Sequence, residues 1–137
     1  MAYWLYKSEP GTWSWDDHVR AQVTHWDGVR NFQAAANMRK AALGDRGFFY
    51  HSGDAREIVG VVEVVKTWYP DPDDGTGKFG LIDLKVVGPF PKPVTLAQVK
   101  QDPALKDMVL VKNSRLSVQP VTDAEWEHIC RLGGFRG

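Results

Sequence analysis

The sequence predicts an α+β fold in which several strands curl into a small β-pseudo-barrel with short α-helices on its flanks. Three observations lead to this prediction. The chain has 137 residues, enough for one core with little room for a second unit, so we expect a single domain spanning residues 1–137. Segments dense in Val, Ile, Phe and Tyr alternate with turn residues. Helix-capping patterns open short helices between those segments, and this mixture is typical of small α+β proteins.

The first elements are a strand and a short helix. Residues 2–6 are rich in aromatic side chains and are followed by Pro10, which predicts a strand and then a tight turn. Ser14 with Asp17 three residues later has the pattern of a helix N-cap. We therefore expect a short helix that ends near Gln22.

A loop, a second helix and a hairpin are predicted next. Residues 25–30 contain a central glycine and are interpreted as a loop. Asn31 is a plausible N-cap for a helix through Ala42, because the run of alanines that follows has high helix propensity. Residues 47–51 and 58–68 are dense in β-branched and aromatic residues on either side of a turn, and they predict a hairpin.

The C-terminal half is predicted to add two strands and two helices. Alternation of apolar and polar residues over 82–86 indicates a half-buried strand. Prolines in 89–93 are expected to interrupt regular structure, and Thr95 then caps a short helix. Residues 115–118 are interpreted as a last strand, and Thr122 opens a final helix through a capping box.

Composition limits the functions that the chain can have. Lys plus Arg total 17, as do Asp plus Glu, so the net charge is zero and the pI is near 6.9. A general DNA-coating domain usually has a pI above about 9, and zero net charge counts against that class while leaving a local basic patch possible. Six tryptophans are more than a core of this size requires, and tryptophan also stacks against planar ligands.

Cysteine and histidine usage favours neither disulfides nor a metal. Cys130 is the single cysteine, which excludes an internal disulfide, and we expect it to be a small buried apolar residue. The four histidines fall in different predicted elements, so we expect no metal site and no cofactor. The sequence has no basic leader and no apolar stretch of membrane length, which predicts a small soluble cytoplasmic protein.

Four polar segments are candidates for a binding site, and each lies at a strand end or at a loop-to-helix junction. They are Lys7-Ser8, residues 26–31 together with Gln33, His51-Ser52, and residues 115–117. In a small barrel such positions can converge on one mouth, where apolar walls surround a few fixed donors and acceptors. The sequence therefore predicts one shared pocket.

Four longer stretches resemble the EVE domain family in order and spacing across nearly the whole chain. They are residues 3–10 (YWLYKSEP), 26–34 (WDGVRNFQA), 44–52 and 115–121 (RLSVQPV), with further matches at 58–60, 69–71, 93–96 and 125–126. The resemblance implies a PUA-like pseudo-barrel related to YTH and ASCH domains. It also implies recognition of a modified base in DNA or RNA, by analogy with YTH readers of methylated adenine.

The resemblance also implies which residues contact the ligand. Trp26 is expected to stack on the base, Ser8, Asn31 and Ser117 to read its polar edges, and Lys7, Arg30 and Arg115 to attract phosphate. The remaining expected ligand-binding positions are Val29, Gln33, Ala34, His51, Ser52, Tyr69 and Leu116. One departure weakens the match: this chain has Ala35-Ala36 where the family often has Arg-Asn, so a phosphate contact there would pass to Arg39 and Lys40.

Other interpretations remain open at this point. Trp26 can be a core residue instead of a stacking wall, as Trp4, Trp15 and Trp126 are expected to be. Trp13 and Trp68 lie near predicted turns, and their roles are left undecided. His51-Ser52, imagined with Ser8 and Asp27, could serve a small hydrolase or transferase acting on a nucleotide-like substrate. No nucleophile elbow is present, so we expect the protein not to be an enzyme. A third possibility is the binding of a free metabolite, planar or anionic. The base, the choice between DNA and RNA, the pathway and the oligomeric state are not determined by the sequence.

Overall fold

A computed structural model describes residues 1–27, 29 and 31–136, and it confirms the predicted α+β fold. In this part of the chain the strands are β1 (Tyr3–Ser8), β2 (Val23–Trp26), β3 (Arg46–His51), β4 (Glu57–Pro70), β5 (Gly80–Thr95) and β6 (Val118–Val121). The helices are α1 (Trp15–Ala21), α2 (Phe32–Lys40), α3 (Leu96–Gln101), α4 (Val109–Lys112) and α5 (Asp123–Gly133), with a 3₁₀ turn at Pro103–Leu105. The strands form one mixed sheet in the order β2-β5-β4-β3-β1-β6.

This sheet is rolled into a pseudo-barrel, as predicted. The ring centroids of Trp26 on β2 and Tyr6 on β1 are 5.7 Å apart, although three strands separate β2 from β1. Four strand spacings of a flat sheet would put these strands about 19 Å apart. Contact between the two rings therefore requires the sheet to curl until its strands face each other across the interior.

Side-chain alternation along the strands divides the apolar residues into two clusters. Phe49 on β3 belongs to the cluster inside the roll, with Tyr6 and Trp26. Its neighbour Phe48 points to the other face and stacks on Trp126 of α5, with centroids 4.0 Å apart. Successive residues of a strand face opposite sides of a sheet, so the helices that follow β5 cover the outer face while the inner face forms the barrel core.

The predicted helix caps are present in the structure. Capping boxes open α1 at Ser14, α3 at Thr95 and α5 at Thr122. The Asn31 side chain accepts a hydrogen bond from the backbone of α2, as predicted, but that helix ends at Lys40 and not at Ala42. Caps depend on residues within one turn of each other, which explains why local sequence identifies them.

Two strand predictions were wrong in their positions. Residues 25 and 26, expected in a loop, lie in β2, a short edge strand whose alternate residues are exposed and which therefore has a weak apolar pattern. The last strand covers Val118–Val121, so residues 115–117 form the loop that precedes it. Ser117 is therefore the loop residue directly before the first residue of β6.

Prolines 89, 91 and 93 do not interrupt the structure as expected, because β5 continues through them to Thr95. β2 pairs only with residues 82–85 of β5, so the following part of β5 has β4 as its single strand neighbour. Pro91 and Pro93 lie where the register with β4 shifts, between the Gly60–Pro89 and Ile58–Val94 pairs. Irregular pairing of this kind tolerates residues that lack a backbone N–H.

Among the described residues, no helix is long and apolar enough to span a membrane. The cytoplasmic location stays a prediction.

Candidate functional site

A cavity of about 610 Å³ lies at one end of the pseudo-barrel, where the turn after β1 meets β2 and the loop before β6. It brings together six of the positions expected from the sequence, with further residues that were not expected. The described residues that line it are Lys7, Ser8, Glu9, Thr12, Trp13, Thr24, His25, Trp26, Asp27, Val29, Asn31 and Ser117.

The turn after β1 folds back over the mouth of this cavity. The backbone N–H groups of Thr12 and Trp13 both donate to the Glu9 carbonyl at 2.9 Å. The Ser8 hydroxyl donates to the Trp13 carbonyl and thereby ties the returning segment to the end of the strand. Because a hydroxyl has one proton, Ser8 presents lone pairs, and not a donor, to a molecule in the cavity.

Trp13 is a wall of the cavity that sequence reasoning left undecided. Its indole Nε1 donates to Nδ1 of the buried His18 at 3.0 Å, and His18 Nε2 lies 2.8 Å from the Leu84 carbonyl. A carbonyl only accepts, so His18 carries its proton on Nε2, and Nδ1 receives the indole N–H. Burial lowers the pKa of His18 and favours this neutral form. The hydrogen bond to the buried His18 therefore holds the half-buried Trp13 ring in place.

Trp26 is both a core residue and part of the cavity wall. It is 6% exposed, and its ring centroid lies 5.7 Å from Tyr6, 5.5 Å from Phe49 and 6.2 Å from His18. Most of the ring is thus buried by packing, and the residue also lines the cavity. The interpretations of this residue as core and as wall are therefore compatible.

Asn31 contributes to the site through its role as a helix cap. Its side-chain oxygen accepts the Ala34 N–H at 2.9 Å, which orients the amide nitrogen as the group that can donate to a ligand. Ala34 is buried and Gln33 is exposed, and neither lines the cavity. Val29 is a buried lining residue, whereas Arg30 lies outside the described residues.

The opposite rim is built from the end of β1 and the loop before β6. The Lys7 backbone N–H donates to the Ser117 carbonyl at 2.9 Å, and Lys7 Nζ donates to the Ser114 carbonyl. Partial burial lowers the pKa of Lys7. In the same loop Leu116 is buried in the core, and Arg115 is exposed and does not line the cavity.

The loop before β6 is fixed from inside by Gln119. This buried side chain donates through Nε2 to the Leu116 carbonyl at 2.8 Å and to the Asn113 carbonyl at 3.2 Å. The position of Ser117 is thus set by a side chain two residues further along β6.

Three further expected positions also lie outside the cavity lining, in addition to Gln33, Ala34, Arg115 and Leu116. His51 Nε2 accepts the Trp15 N–H at 2.9 Å, and desolvation lowers its pKa. The Ser52 N–H donates to the Ser8 carbonyl at 2.9 Å, so Ser52 adjoins the site through backbone. The Tyr69 hydroxyl donates to Asp83 at 2.5 Å. Their roles as ligand contacts stay predictions.

The charges at the cavity are mixed. Among the described lining residues, Lys7 supplies a cation, Glu9 and Asp27 supply carboxylates, and His25 Nε2 lies 3.3 Å from an Asp27 oxygen. Hydroxyl and amide groups complete the lining. In the described part of the chain, no three His, Cys, Asp or Glu side chains are grouped so that they could hold a metal ion. The described lining can combine ring stacking with several neutral hydrogen bonds.

Comparison with known proteins gives a consistent result. The family model of the EVE domain matches residues 2–132. Thymocyte nuclear protein 1 of Homo sapiens is 32% identical over 166 residues, which cover 96% of this chain and 73% of that protein. A Rhodopseudomonas palustris protein solved by NMR is 51% identical with a TM-score of 0.94, covering 100% of this chain and 96% of that one.

Two further structures contain nucleic acid. Human THYN1 in complex with DNA containing 5-methylcytosine is 32% identical to this chain, with a TM-score of 0.87 and full coverage of both chains. The YTH domain of the MRB1 protein of Zygosaccharomyces rouxii, solved with N6-methyladenosine RNA, is 18% identical with a TM-score of 0.60. It covers 96% of this chain and 85% of that one, and it shows a shared fold.

Proposed function

Because the chain belongs to the EVE domain family, we propose that it binds nucleic acid and holds one modified base, flipped or single-stranded, in the cavity next to Trp13 and Trp26. The observation that carries the proposal is the pairing of these indole walls with fixed polar groups in one cavity. The relative that was solved with DNA containing 5-methylcytosine supports the same ligand class. DNA with 5-methylcytosine is therefore the first probe to use.

Stacking supplies affinity without reading the base. Each stack of a base on an aromatic ring contributes about 1–3 kcal/mol. The half-buried Trp13 has more accessible ring surface than the 6% exposed Trp26. We therefore assign the main stacking contact to Trp13 and interpret Trp26 as the packed wall behind the base.

In this proposal, hydrogen bonds to the edge of the base distinguish one base from another. Ser8 presents an acceptor because its proton is directed to the Trp13 carbonyl, and Asn31 presents a donor because its oxygen caps α2. The Ser117 hydroxyl adds a group that can do either. The edge of a nucleobase carries donors and acceptors of both kinds, so this lining is complementary to a base and not to a bare phosphate.

The volume and the charge fit the same ligand. About 610 Å³ lies within the range of about 300–1,000 Å³ that is usual for small-molecule sites. The net charge is zero, so attraction of the phosphates depends on local cations such as Lys7 at the rim. Arg30 and Arg115 remain proposed phosphate contacts.

The test is a fluorescence titration with matched oligonucleotides that contain 5-methylcytosine, N6-methyladenine or no modification. We expect wild type to prefer a modified strand, and Trp13→Ala to bind it roughly tenfold to a hundredfold more weakly. Asn31→Asp keeps a good helix cap but loses the amide donor, so binding should weaken while α2 remains. Gln101→Glu, an amide-to-acid change at the exposed end of α3, is the matched control.

Equal affinity of wild type for every strand would contradict the proposal, and tighter binding of a free nucleoside than of any strand would favour a metabolite as ligand. We also expect no hydrolysis of esters, nucleotides or glycosidic bonds. The His51 ring nitrogen that could act as a base accepts the Trp15 N–H instead. Turnover that disappears in His51→Ala would favour the hydrolase or transferase alternative.

A further inference from the structure

A row of aromatic and cationic side chains leads away from the cavity along α2. Its first member, Phe32, directly follows the cavity-lining Asn31 and is 67% exposed. The Phe32 ring stacks on Phe79, with centroids 5.3 Å apart and planes inclined by 26°. Lys78 Nζ lies 6.0 Å from the centroid of the same ring. Phe32 is thus a supported ring with most of its surface open to solvent, next to a cation.

The row continues at Arg39, two helical turns and about 10 Å further along α2. Its guanidinium donates to the Lys78 carbonyl at 2.7 Å and lies 4.7 Å from the Trp68 ring. Trp68 packs closely against Gly80, where an added Cβ would approach the indole to 2.2 Å. The hydrogen bond to the Lys78 carbonyl uses one of the five N–H donors of Arg39. A fixed guanidinium of this kind can present its other donors to a phosphate.

Nearby carboxylates have structural roles in the turn between β4 and β5. Asp74 accepts hydrogen bonds from the Phe79 N–H and from Thr76, and Asp71 is buried and accepts the Asp73 N–H. These contacts engage the Asp71 and Asp74 carboxylates within the turn, and Asp73, the third acid of the turn, is exposed. The exposed groups of the row itself, Phe32, Lys78 and Arg39, are apolar or positively charged.

From this geometry we infer that Phe32, Lys78 and Arg39, which we name the flanking track, bind the single strand that continues from the base in the cavity. One neighbouring base stacks on Phe32, and the phosphates that follow lie against Lys78 and Arg39. The inference rests on the proposed function. Two observations select this occupant: the track begins at the residue after Asn31, and it combines an exposed ring with cations, as surfaces for single strands do.

The track also compensates for the departure of the sequence from the family pattern at residues 35 and 36. Ala35 is buried against the core and Ala36 carries no polar group. Arg39 lies one turn further along the same helix, where its guanidinium is exposed and supported by Trp68. The positive charge in this part of the chain is thus found further from the cavity, where flanking phosphates would pass.

The experiment compares a nucleoside with strands of increasing length. The probes are 5-methyl-2′-deoxycytidine, and single strands of three and nine nucleotides with one 5-methylcytosine. We expect Phe32→Ala to weaken binding of the nine-nucleotide strand about tenfold and to leave nucleoside binding unchanged. Leu43→Ala is the matched control, because Leu43 is also 67% exposed and should have no effect.

The cations are tested by salt dependence. Removing one phosphate contact lowers the slope of log affinity against log salt by about 0.7 for a single strand. We expect this change for Lys78→Gln and for Arg39→Gln, and not for Lys100→Gln in α3. Arg39→Lys should recover the slope and only part of the affinity, because lysine lacks the planar fork. Circular dichroism confirms that each variant is folded.

The outcomes separate the track from the cavity. If wild type prefers the modified strand but the track variants bind like their controls, the flanking track is wrong and the proposed function stands. If the track variants weaken all strands equally and wild type shows no preference for a modification, the cavity proposal is wrong and the track remains a nucleic-acid surface. If wild type binds neither nucleoside nor strand, both are wrong.

Discussion

Replacement of Trp26 by alanine should lower stability strongly, because this cavity wall is also part of the core. The indole is 6% exposed and contacts the rings of Tyr6, Phe49 and His18. Truncation of a buried tryptophan to alanine typically costs about 3–5 kcal/mol, through lost burial and the cavity that remains. These contacts connect β2 to β1 and β3 across the barrel. Because these strands are held by the sheet, the surrounding side chains cannot move far enough to fill the cavity that the lost indole leaves.

The expected loss is large enough to measure by thermal unfolding. For a domain of 137 residues, 1 kcal/mol corresponds to about 4 °C in Tm, so Trp26→Ala should lower the Tm by about 12–20 °C. Trp26→Phe keeps an aromatic ring against Phe49 and should lower the Tm by about a third to a half as much as Trp26→Ala does. The free energy of unfolding of such domains is about 5–15 kcal/mol, so the alanine variant should still be folded at low temperature.

Circular dichroism at 222 nm during heating measures both variants beside wild type. Trp13→Ala is the comparison, because its ring is half-buried and its hydrogen bond to His18 can be replaced by water from the cavity. A smaller Tm loss for Trp26→Ala than for Trp13→Ala would refute this reasoning. Trp26 would then contribute little to the core, and the proposed stacking contact would be assigned to Trp26 instead of Trp13.

Two other predictions concern acid and packing. Burial lowers the pKa of both His18 and His51 in the folded protein. Below the ordinary histidine pKa of about 6.5, the unfolded chain therefore binds more protons than the folded chain. The contribution of these two histidines to stability should be constant above about pH 7 and fall as the pH drops below about 6.5. Calorimetry from pH 7 to 5 should show a flatter Tm profile for the double variant His18→Gln, His51→Gln, and an unchanged slope would contradict this assignment. Gly60→Ala should lower the free energy of unfolding, measured by urea titration, by about 1–3 kcal/mol, because the added Cβ would lie 2.4 Å from the Trp15 ring. Gly75→Ala should leave it unchanged, because no atom lies within 4 Å of the added Cβ.

Most of the fold was predictable because its signals are local. A capping box such as Thr122 with Glu125 is complete within four residues, and the β3–β4 hairpin follows from two apolar runs around a turn. β2 was missed because an edge strand buries only alternate residues and ends in a Trp-Asp-Gly sequence that is typical of a loop. The path of β5 through three prolines depends on a register shift against β4, between the Gly60–Pro89 and Ile58–Val94 pairs, and a linear sequence does not contain that information.

The candidate site was predictable in part for the same reason. Strand ends were expected to converge, and Lys7, Ser8 and Ser117 do lie at one cavity. His51 shows the limit of that argument, since it also lies at a strand end but its ring accepts the Trp15 N–H. Trp13 was undecided because its orientation depends on a turn and on His18, whose own partner, Leu84, is 66 residues further along the chain. A strong turn signal at Glu9-Pro10 before an aromatic residue was the available clue.

The hydrogen-bonding capacity of the polar groups at the cavity is set by the bonds that hold the fold together. Ser8 is an acceptor because its proton closes the turn after β1, and Asn31 is a donor because its oxygen caps α2. If the proposed function holds, these bonds are already formed when a base binds, so little conformational entropy is lost on binding, and preorganisation of this kind raises affinity. The same bonds make selectivity separable from stability: Asn31→Asp preserves the cap and removes the donor, whereas Trp26→Ala removes core and wall together. Binding and unfolding measured on both variants would therefore distinguish recognition of the base from maintenance of the cavity.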